Sequence, residues 1–239
     1  MKIVITGATS GIGRQLAIDY HAEGHEVWAL GRNEQALQEL RSLGLSTGQV
    51  DLTDREATLA WFASLESVDL AILNAGTCEY IDMPHFDSAL IQRVMRANVE
   101  TVAICIEAVL PLLRQSSTGH LAVVGSSAAY VPLPRAEAYG ASKAAIAYLV
   151  ETLRLDLTGE NIALSLICPG FVKTPLTDLN DFPMPFRISV EEASSYIRQG
   201  LLKKKAEIHF PKRFTYILKL LSLLPGPLWT SIGRQMVRK

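Results

Sequence analysis

The feature that most constrains this chain is a glycine-patterned turn that follows its first apolar run. Residues 2–6 form a short apolar segment typical of a strand, and Gly7, Gly11 and Gly13 come directly after it. Glycines at such a point permit a tight turn and let the backbone approach a diphosphate, which the N–H groups at a helix N-terminus can hold. A plain strand-to-helix connection can carry the same pattern. The position after an N-terminal strand favours a bound nucleotide.

Beyond this turn, short β-rich runs alternate with longer helical patterns, which is typical of βαβ units around a parallel sheet. Most of the runs are apolar on both faces, as a covered sheet requires. The predicted strands are residues 2–6, 26–31, 46–50, 68–73, 119–125, 162–168 and 207–210. The predicted helices are residues 12–23, 33–43, 54–65, 87–114, 138–157 and 190–203. We therefore expect an α/β fold, a Rossmann-like doubly wound sheet of about seven parallel strands with helices on both faces and a helical, basic C-terminal extension.

The chain shows no sign of a domain boundary. Its 239 residues suit one α/β domain with a substantial core, and no repeat, low-complexity run or long linker interrupts the alternation. We expect a single domain over residues 1–239. Residues 1–174 would form the cofactor-binding and catalytic core, residues 175–206 a short substrate-side segment, and residues 207–239 the last strand and a basic amphipathic tail.

The numbers and positions of cysteine and histidine argue against disulfide and metal chemistry and bear on the cellular compartment. Cys78, Cys105 and Cys168 are too few and too scattered for a disulfide framework or a zinc ribbon, and the five histidines have no metal-ligand spacing. The N-terminus has no secretory signal pattern, and no apolar run approaches the ~20 residues of a membrane span. We expect a cytoplasmic protein that needs no metal.

The end of the second predicted strand indicates which dinucleotide is bound. An NAD-specific site usually has an Asp or Glu there for the ribose 2′-hydroxyl, whereas this chain has Gly31, Arg32 and Asn33. The Arg32 guanidinium suits a 2′-phosphate, because it can make a charge-assisted, bidentate contact. An exposed arginine that opens a helix is the alternative. The sequence favours NADP(H) over NAD(H).

A second motif carries proton chemistry. Tyr139 and Lys143 are four residues apart in a helical stretch, so they lie on one face of it. A neighbouring ammonium lowers the pKa of a phenol, as a general acid/base near neutral pH needs. Such a pair alone is more often a solvated surface pair. Ser126 and Asn74, however, end two predicted strands, and this edge of an open α/β sheet is where ligands bind.

Taken together, these motifs resemble the short-chain dehydrogenase/reductase family in its common single-domain form. The similarity covers about residues 2–175 and rests on the glycine turn, Asp51, Asn74-Ala75-Gly76, Asn98, Ser126, Tyr139, Lys143, Pro169-Gly170 and Thr174. The resemblance implies that Tyr139 exchanges a proton with the substrate oxygen and that Ser126 hydrogen-bonds the same atom. Ser127 takes this part if the register shifts by one residue. Lys143 would bind the nicotinamide ribose and lower the tyrosine pKa, and Asn98 would hold a water that links the lysine to solvent.

The cofactor would lie along one row of residues. The family pattern places Asp51 at the adenine, Asn74 and Ala75 along the adenosine, and the residues after Pro169 at the nicotinamide. The expected cofactor-binding set is Gly7, Thr9, Ser10, Gly11, Ile12, Gly13, Arg32, Asp51, Leu52, Asn74, Ala75, Gly76, Tyr139, Lys143, Pro169, Gly170, Val172 and Thr174.

The segment after Thr174 bears on the substrate. The segment of residues 175–188 is short and rich in apolar side chains. We therefore expect a small hydrophobic carbonyl or alcohol substrate or an open site. The main hypothesis is a reductase. An epimerase or an oxidising dehydrogenase on the same scaffold is an alternative. So is a non-enzymatic NADPH sensor or membrane-surface adaptor, although a damaged Ser-Tyr-Lys set would then be expected.

The C-terminal tail is unusually basic. Residues 203–239 carry nine Lys or Arg and one acid, Glu207, within a chain of net charge −1. Leucine and Trp229 alternate with the cations, so the tail could lie on an anionic membrane, although packing on the domain or on a second subunit is favoured. No nucleic-acid motif is present. A homo-oligomer, if formed, would pair through helices near residues 98–114 and 138–157, as family members commonly do.

Overall fold

Seven parallel strands form one sheet in the computed structural model, which describes residues 1–237. They are β1 (Lys2–Thr6), β2 (Glu26–Gly31), β3 (Ser46–Gln49), β4 (Leu70–Leu73), β5 (His120–Val124), β6 (Ala163–Pro169) and β7 (Glu207–Phe210). The order across the sheet is β3-β2-β1-β4-β5-β6-β7, so the winding reverses between β1 and β4. The predicted fold class is confirmed, and each predicted strand is present to within two residues.

Helices connect the strands and cover both faces of the sheet. They are α1 (Gly11–Ala22), α2 (Glu34–Ser42), α3 (Arg55–Phe62), α4 (Ser88–Met95), α5 (Thr101–Arg114), α6 (Glu137–Asp156), α7 (Pro175–Asp178), α8 (Val190–Leu202), α9 (Lys212–Leu221) and α10 (Gly226–Arg234). Side-chain caps fix several of their starts. The carboxylates of Asp54 and Asp87 and the amide oxygen of Asn33 accept from first-turn N–H groups, which satisfies donors that a helix leaves unpaired.

Two apolar layers hold the helices on the sheet. On one face Ile5 and Ile72 pack with Leu16 of α1 and Ile197 of α8. On the other face the layer is built from β1, β4 and β5 with α3, α5 and α6, as in Val4, Leu73, Val109 and Ile146. Successive strand residues point to opposite faces, so a strand covered on both sides needs the continuous apolar runs that the sequence shows.

One predicted helix is wrong in detail. Residues 87–114 were expected to form a continuous helix, whereas a π-helical turn at Arg96–Glu100 separates α4 from α5. The buried residue in this turn is Asn98, whose side chain bonds to groups on two other segments. Single-turn π insertions inside helices are often found at functional sites.

The basic tail folds back on the domain through one side of its first helix. Phe214 and Leu218 of α9 form a small apolar cluster with Val131, and Trp229 packs against it. The Tyr130 hydroxyl donates to Glu207 at 2.6 Å, and the same carboxylate pairs with Lys219 of α9. The tail is therefore tied to the loop that follows β5. Within residues 1–237, no helix is long and apolar enough to cross a membrane.

Candidate active site

A cleft of about 530 Å³ opens at the carboxyl edge of the sheet, where β1 and β4 lie side by side. This is the point at which the strand order reverses, and connections that leave in opposite directions create a crevice there. Each predicted cofactor-binding residue lines the cleft except Gly13, which lies behind the turn. The cleft is also lined by residues that the sequence had not singled out, namely Val50, Thr53, Thr77, Ala97, Thr101, Val124 and Thr177.

The glycine turn forms one wall of the cleft. Gly7 and Gly11 have φ angles of +65° and +53°, in the left-handed region that favours glycine. A Cβ atom on Gly13 would lie 2.4 Å from the carbonyl oxygen of Gly7, so this close approach also requires glycine. The Asn74 amide donates to that same oxygen at 3.2 Å, which ties the end of β4 to the turn.

Helix α1 presents its N-terminus to this cleft without a side-chain cap. Ser10 is the N-cap residue in extended conformation, its hydroxyl accepts no bond from the first turn, and that turn carries no acid. The uncapped N–H groups and the positive end of the helix dipole are a donor set suited to a phosphate anion. The glycine geometry and these donors together fit the diphosphate of a dinucleotide.

The far end of the cleft is bordered by Arg32 and Asp51. The Asp51 carboxylate accepts from the backbone N–H of Thr53 at 3.0 Å and from its hydroxyl at 2.8 Å. These two bonds, followed by the charges of Arg32 and Arg96, lower the pKa of Asp51. The carboxylate is therefore ionised near neutral pH, and the Arg32 guanidinium lies at the exposed rim beside it.

The predicted proton-transfer residues meet on the opposite side of the cleft. Ser126, Tyr139 and Lys143 all line it. Ser126 caps a short 3₁₀ turn at Ser127–Ala129, and its hydroxyl accepts from the N–H of Ala128 at 3.1 Å. The Nζ atom of Lys143 is 5.8 Å from the centre of the Tyr139 ring. Both serines are buried, and Ser126 lines the cleft whereas Ser127 does not.

The pKa of Tyr139 differs from the expectation. Burial raises it above its ordinary value, and the hydrogen bond with Ser126 opposes that rise. Lys143, expected to lower the tyrosine pKa, is itself buried, and loss of solvation lowers its pKa to about 8. The protein groups alone therefore do not produce the expected lowering of the phenol pKa, because the effect of burial dominates.

Asn98 lies beneath the cleft and is buried. Its amide oxygen accepts from the N–H of Thr77 at 2.7 Å, and its amide nitrogen donates to the Thr77 carbonyl at 3.0 Å and to the Ser142 hydroxyl at 2.9 Å. The side chain therefore joins the loop after β4 to helix α6, one residue before Lys143. Its predicted role in holding a water stays a prediction.

The remaining wall of the cleft comes from the segment after β6. Pro169, Gly170, Val172 and Thr174 line it, and the Thr174 hydroxyl caps α7 by accepting from the N–H of Thr177. A Cβ atom on Gly170 would lie 2.8 Å from the Phe214 ring, so glycine here admits the tail helix.

Four aromatic rings from separate segments pack against one another, a grouping that the sequence did not reveal. Phe182 packs edge-on against Tyr80, with ring centroids 5.4 Å apart, and lies 6.1 Å from Phe171. Phe171 in turn lies 5.3 Å from Phe214. Burial first, then the nearby Cys78 and Tyr139, raises the pKa of Tyr80, so this end of the group lies near Tyr139. We call these four rings the aromatic row.

Arg135 fastens the segment that carries Phe182. Its guanidinium pairs with Asp82 at 2.6 Å and with Asp181 at 2.7 Å, and it also lies over the ring of Tyr80. Arg135 has a φ angle of +66°, which is rare for a residue with a side chain. Three loops are thereby joined around the aromatic row.

A doubly wound sheet with a glycine turn at its crossover defines the class of dinucleotide-binding α/β proteins. The family model described as short chain dehydrogenase matches residues 1–181. The chain therefore belongs to the short-chain dehydrogenase/reductase family of oxidoreductases, as the sequence motifs predicted.

Individual relatives agree with this assignment. An uncharacterized oxidoreductase of Myxococcus xanthus is 33% identical over 98% of this chain and 96% of its own length. A 3beta-hydroxysteroid dehydrogenase of Mediterraneibacter gnavus is 30% identical over 86% of this chain and 80% of its own length. Among solved structures, the closed form of a serine dehydrogenase complexed with NADP+ is similar with a TM-score of 0.81 and 26% identity, covering 88% of this chain and 94% of that one.

Proposed function

We propose that this protein is an NADP(H)-dependent oxidoreductase that transfers a hydride between the nicotinamide and the carbonyl or secondary alcohol carbon of a hydrophobic substrate. The observation that carries the proposal is the meeting of Ser126, Tyr139 and Lys143 in the cleft whose other wall is the glycine turn. A proton donor thus faces the same space as a dinucleotide site. That arrangement suits reactions in which a hydride and a proton reach the two ends of one carbonyl group.

The chain's own residues divide the work of carbonyl reduction. When bound, NADPH supplies the hydride for the carbonyl carbon. Ser126 hydrogen-bonds the carbonyl oxygen and orients it, and Tyr139 donates its proton to that oxygen as the alcohol forms. The ammonium of Lys143 stabilises the resulting phenolate, which then regains a proton from solvent. Alcohol oxidation follows the same steps in reverse, with Tyr139 accepting the proton.

Separate observations support the preference for NADP(H) and the hydrophobic substrate. The Arg32 guanidinium at the cleft rim favours a 2′-phosphate, and the serine dehydrogenase noted above is complexed with NADP+. The aromatic row beside Tyr139 favours an apolar substrate, since burying apolar surface against these rings is favourable by about 25 cal/mol per Å². The similarity to a hydroxysteroid dehydrogenase accords with a hydrophobic alcohol or ketone.

The test is cofactor turnover with a panel of aromatic and alicyclic ketones and aldehydes. Oxidation of NADPH would be followed for the wild type, for Tyr139→Phe and for Tyr148→Phe. Tyr148 lies on the same helix and is 79% exposed, so it is a matched control. We expect Tyr139→Phe to lower kcat roughly 10²–10⁴-fold, with NADPH affinity by fluorescence titration little changed, and Tyr148→Phe to behave as wild type. Full activity in Tyr139→Phe would refute the mechanism.

A further inference from the structure

The outward side of helix α9 is apolar, although it faces away from the domain. Phe214, Thr215 and Leu218 are the buried residues of this helix. On the opposite side, Tyr216 is 58% exposed, Ile217 48% and Leu220 68%, and Leu223 just beyond the helix is 78% exposed. A helix seated on a domain normally presents polar residues to solvent, whereas this one exposes Ile217 and Leu220. The ring of Tyr216 also packs edge-on against His209.

Helix α10 also exposes apolar side chains. None of its residues is buried, and Leu228 is 56% exposed. The helix is nevertheless held in place, because the Trp229 indole donates to the carbonyl oxygen of Pro132 at 3.2 Å. We call the five side chains of Tyr216, Ile217, Leu220, Leu223 and Leu228 the apolar tail face.

Only positive charge accompanies this face. Residues 208–239 contain six Lys or Arg and no Asp or Glu. Lys219 is neutralised by Glu207. Within residues 1–237, the exposed Lys212, Arg213 and Arg234 make no ion pair.

Several arginines elsewhere on the surface are paired with an acid. Arg41 pairs with Glu34 of its own helix, and Arg55 pairs with Glu107 of α5. Arg114 pairs with Glu160, which follows α6. Within residues 1–237, Lys212, Arg213 and Arg234 differ from these arginines in making no ion pair, and they lie on the two helices that expose apolar side chains.

We propose that the apolar tail face docks this protein on an anionic lipid surface. Exposed leucines flanked by unpaired cations suit a bilayer interface, where the apolar side chains enter the headgroup boundary and the cations meet acidic headgroups. A second copy of the chain fits poorly, because joining two such faces would bring like charges together. The proposal does not depend on the reaction at the cleft.

Docking in this way would orient the substrate side of the cleft. Phe214 projects from the inner side of α9, lies 5.3 Å from Phe171 and 6.4 Å from the partly exposed Phe186. The helix that would rest on the membrane thus also supplies a ring of the aromatic row. An apolar substrate dissolved in the bilayer would have a short path to that row.

The experiment is vesicle flotation of the full chain with phosphatidylcholine vesicles and with vesicles that also contain phosphatidylserine. Point variants are preferred to truncation, because Phe214 and Leu218 belong to an apolar cluster of the fold. Leu220→Glu with Leu223→Glu is compared with Leu43→Glu with Leu202→Glu, whose leucines are 52% and 85% exposed on other surfaces. Both double variants add the same charge, so only its position differs.

We expect wild-type chain to float with the anionic vesicles and far less with the neutral ones. The tail double variant should bind them at least roughly tenfold more weakly, whereas the control double variant should bind like wild type. Arg213→Gln with Arg234→Gln should also bind the anionic vesicles roughly tenfold more weakly. Thermal unfolding of each variant confirms that it is folded.

Three results would overturn the proposal. The first is absence of wild-type binding to anionic vesicles. The second is equal binding by the two leucine double variants. The third is a wild-type dimer in light scattering that Leu220→Glu with Leu223→Glu converts to a monomer, with no vesicle binding by either, since the face would then join two copies of the chain.

Discussion

The Nζ atom of Lys143 donates to the carbonyl oxygen of Val124 at 3.0 Å, at the base of the cleft. Burial lowers the pKa of this lysine from 10.5 to about 8. Between these two pH values the unfolded chain holds a proton that the folded protein has released, so the stability of the wild type rises with pH across that window. The destabilising effect of burying the charge is complete below pH 8 and absent above pH 10.5.

Lys143→Met should therefore change the pH dependence of stability. We expect the free energy of unfolding of the variant, relative to that of wild type, to be highest below pH 8. This relative gain should fall by up to about 3 kcal/mol by pH 10.5. The bond lost to Val124 adds an offset that does not vary with pH. Urea unfolding at several pH values measures the difference, with Lys203→Met on the exposed end of α8 as control. If the difference in free energy of unfolding between variant and wild type stayed constant with pH, the lowered lysine pKa would be contradicted.

Cofactor preference should depend on Arg32. We expect Arg32→Gln to weaken NADPH binding roughly 10–100-fold and to leave NADH binding nearly unchanged, because only the former carries the phosphate that the guanidinium can hold. Fluorescence titration of both cofactors measures this. Arg41→Gln, which removes a cation paired with Glu34 outside the cleft, serves as control. Equal losses of affinity for NADPH and NADH would show that Arg32 does not bind the 2′-phosphate.

Asn98 should contribute strongly to stability. Asn98→Ala leaves the N–H and carbonyl of Thr77 and the Ser142 hydroxyl without their partner, and we expect a loss of roughly 2–4 kcal/mol in the free energy of unfolding. Asn161→Ala is the control, since this exposed amide donates a single bond to the Ser117 carbonyl. If Asn98→Ala abolished activity at unchanged stability, its bonds to Thr77 would be of no structural consequence.

The size of the substrate should be limited by Phe182. Phe182→Ala removes the ring that contacts both Tyr80 and Phe171. We expect kcat/KM for a bulky hydrophobic ketone to rise roughly tenfold relative to a small one. Phe86→Ala removes a ring that is 55% exposed and should leave the ratio unchanged. An unaltered ratio in both variants would place the substrate away from the aromatic row.

The sequence predicted the parts of this structure that depend on local patterns. Continuous apolar runs mark strands covered on both sides, and residues that follow them, such as Asn74 and Ser126, must lie at one edge of a parallel sheet. The left-handed angles of Gly7 and Gly11 are likewise local requirements. These signals account for the seven strands and the glycine turn, whereas several residues that line the cleft, such as Thr77, Ala97 and Thr101, were not singled out.

Features that depend on distant contacts were missed. The π-helical turn around Asn98 is matched to bonds with Thr77 and Ser142, which are 21 and 44 residues away along the chain. Phe182 meets Tyr80 where Arg135 pairs with Asp82 and Asp181 of their two loops, a contact between distant parts of the chain. The pKa of Tyr139 depends on burial, which the four-residue spacing to Lys143 does not encode.

The bonds of Glu207 to Tyr130 and Lys219 affect the order in which the site is completed during synthesis. A protein is synthesised from its N-terminus, and N-terminal parts generally fold first. The glycine turn and the helix of Tyr139 are thus made well before β7 and α9 emerge. The bond between Tyr130 in the loop after β5 and Glu207 forms only once the C-terminal residues have been made. The contact between Phe171 and Phe214 forms equally late. A product of premature termination after β6 would therefore retain the phosphate turn and lack a finished substrate wall.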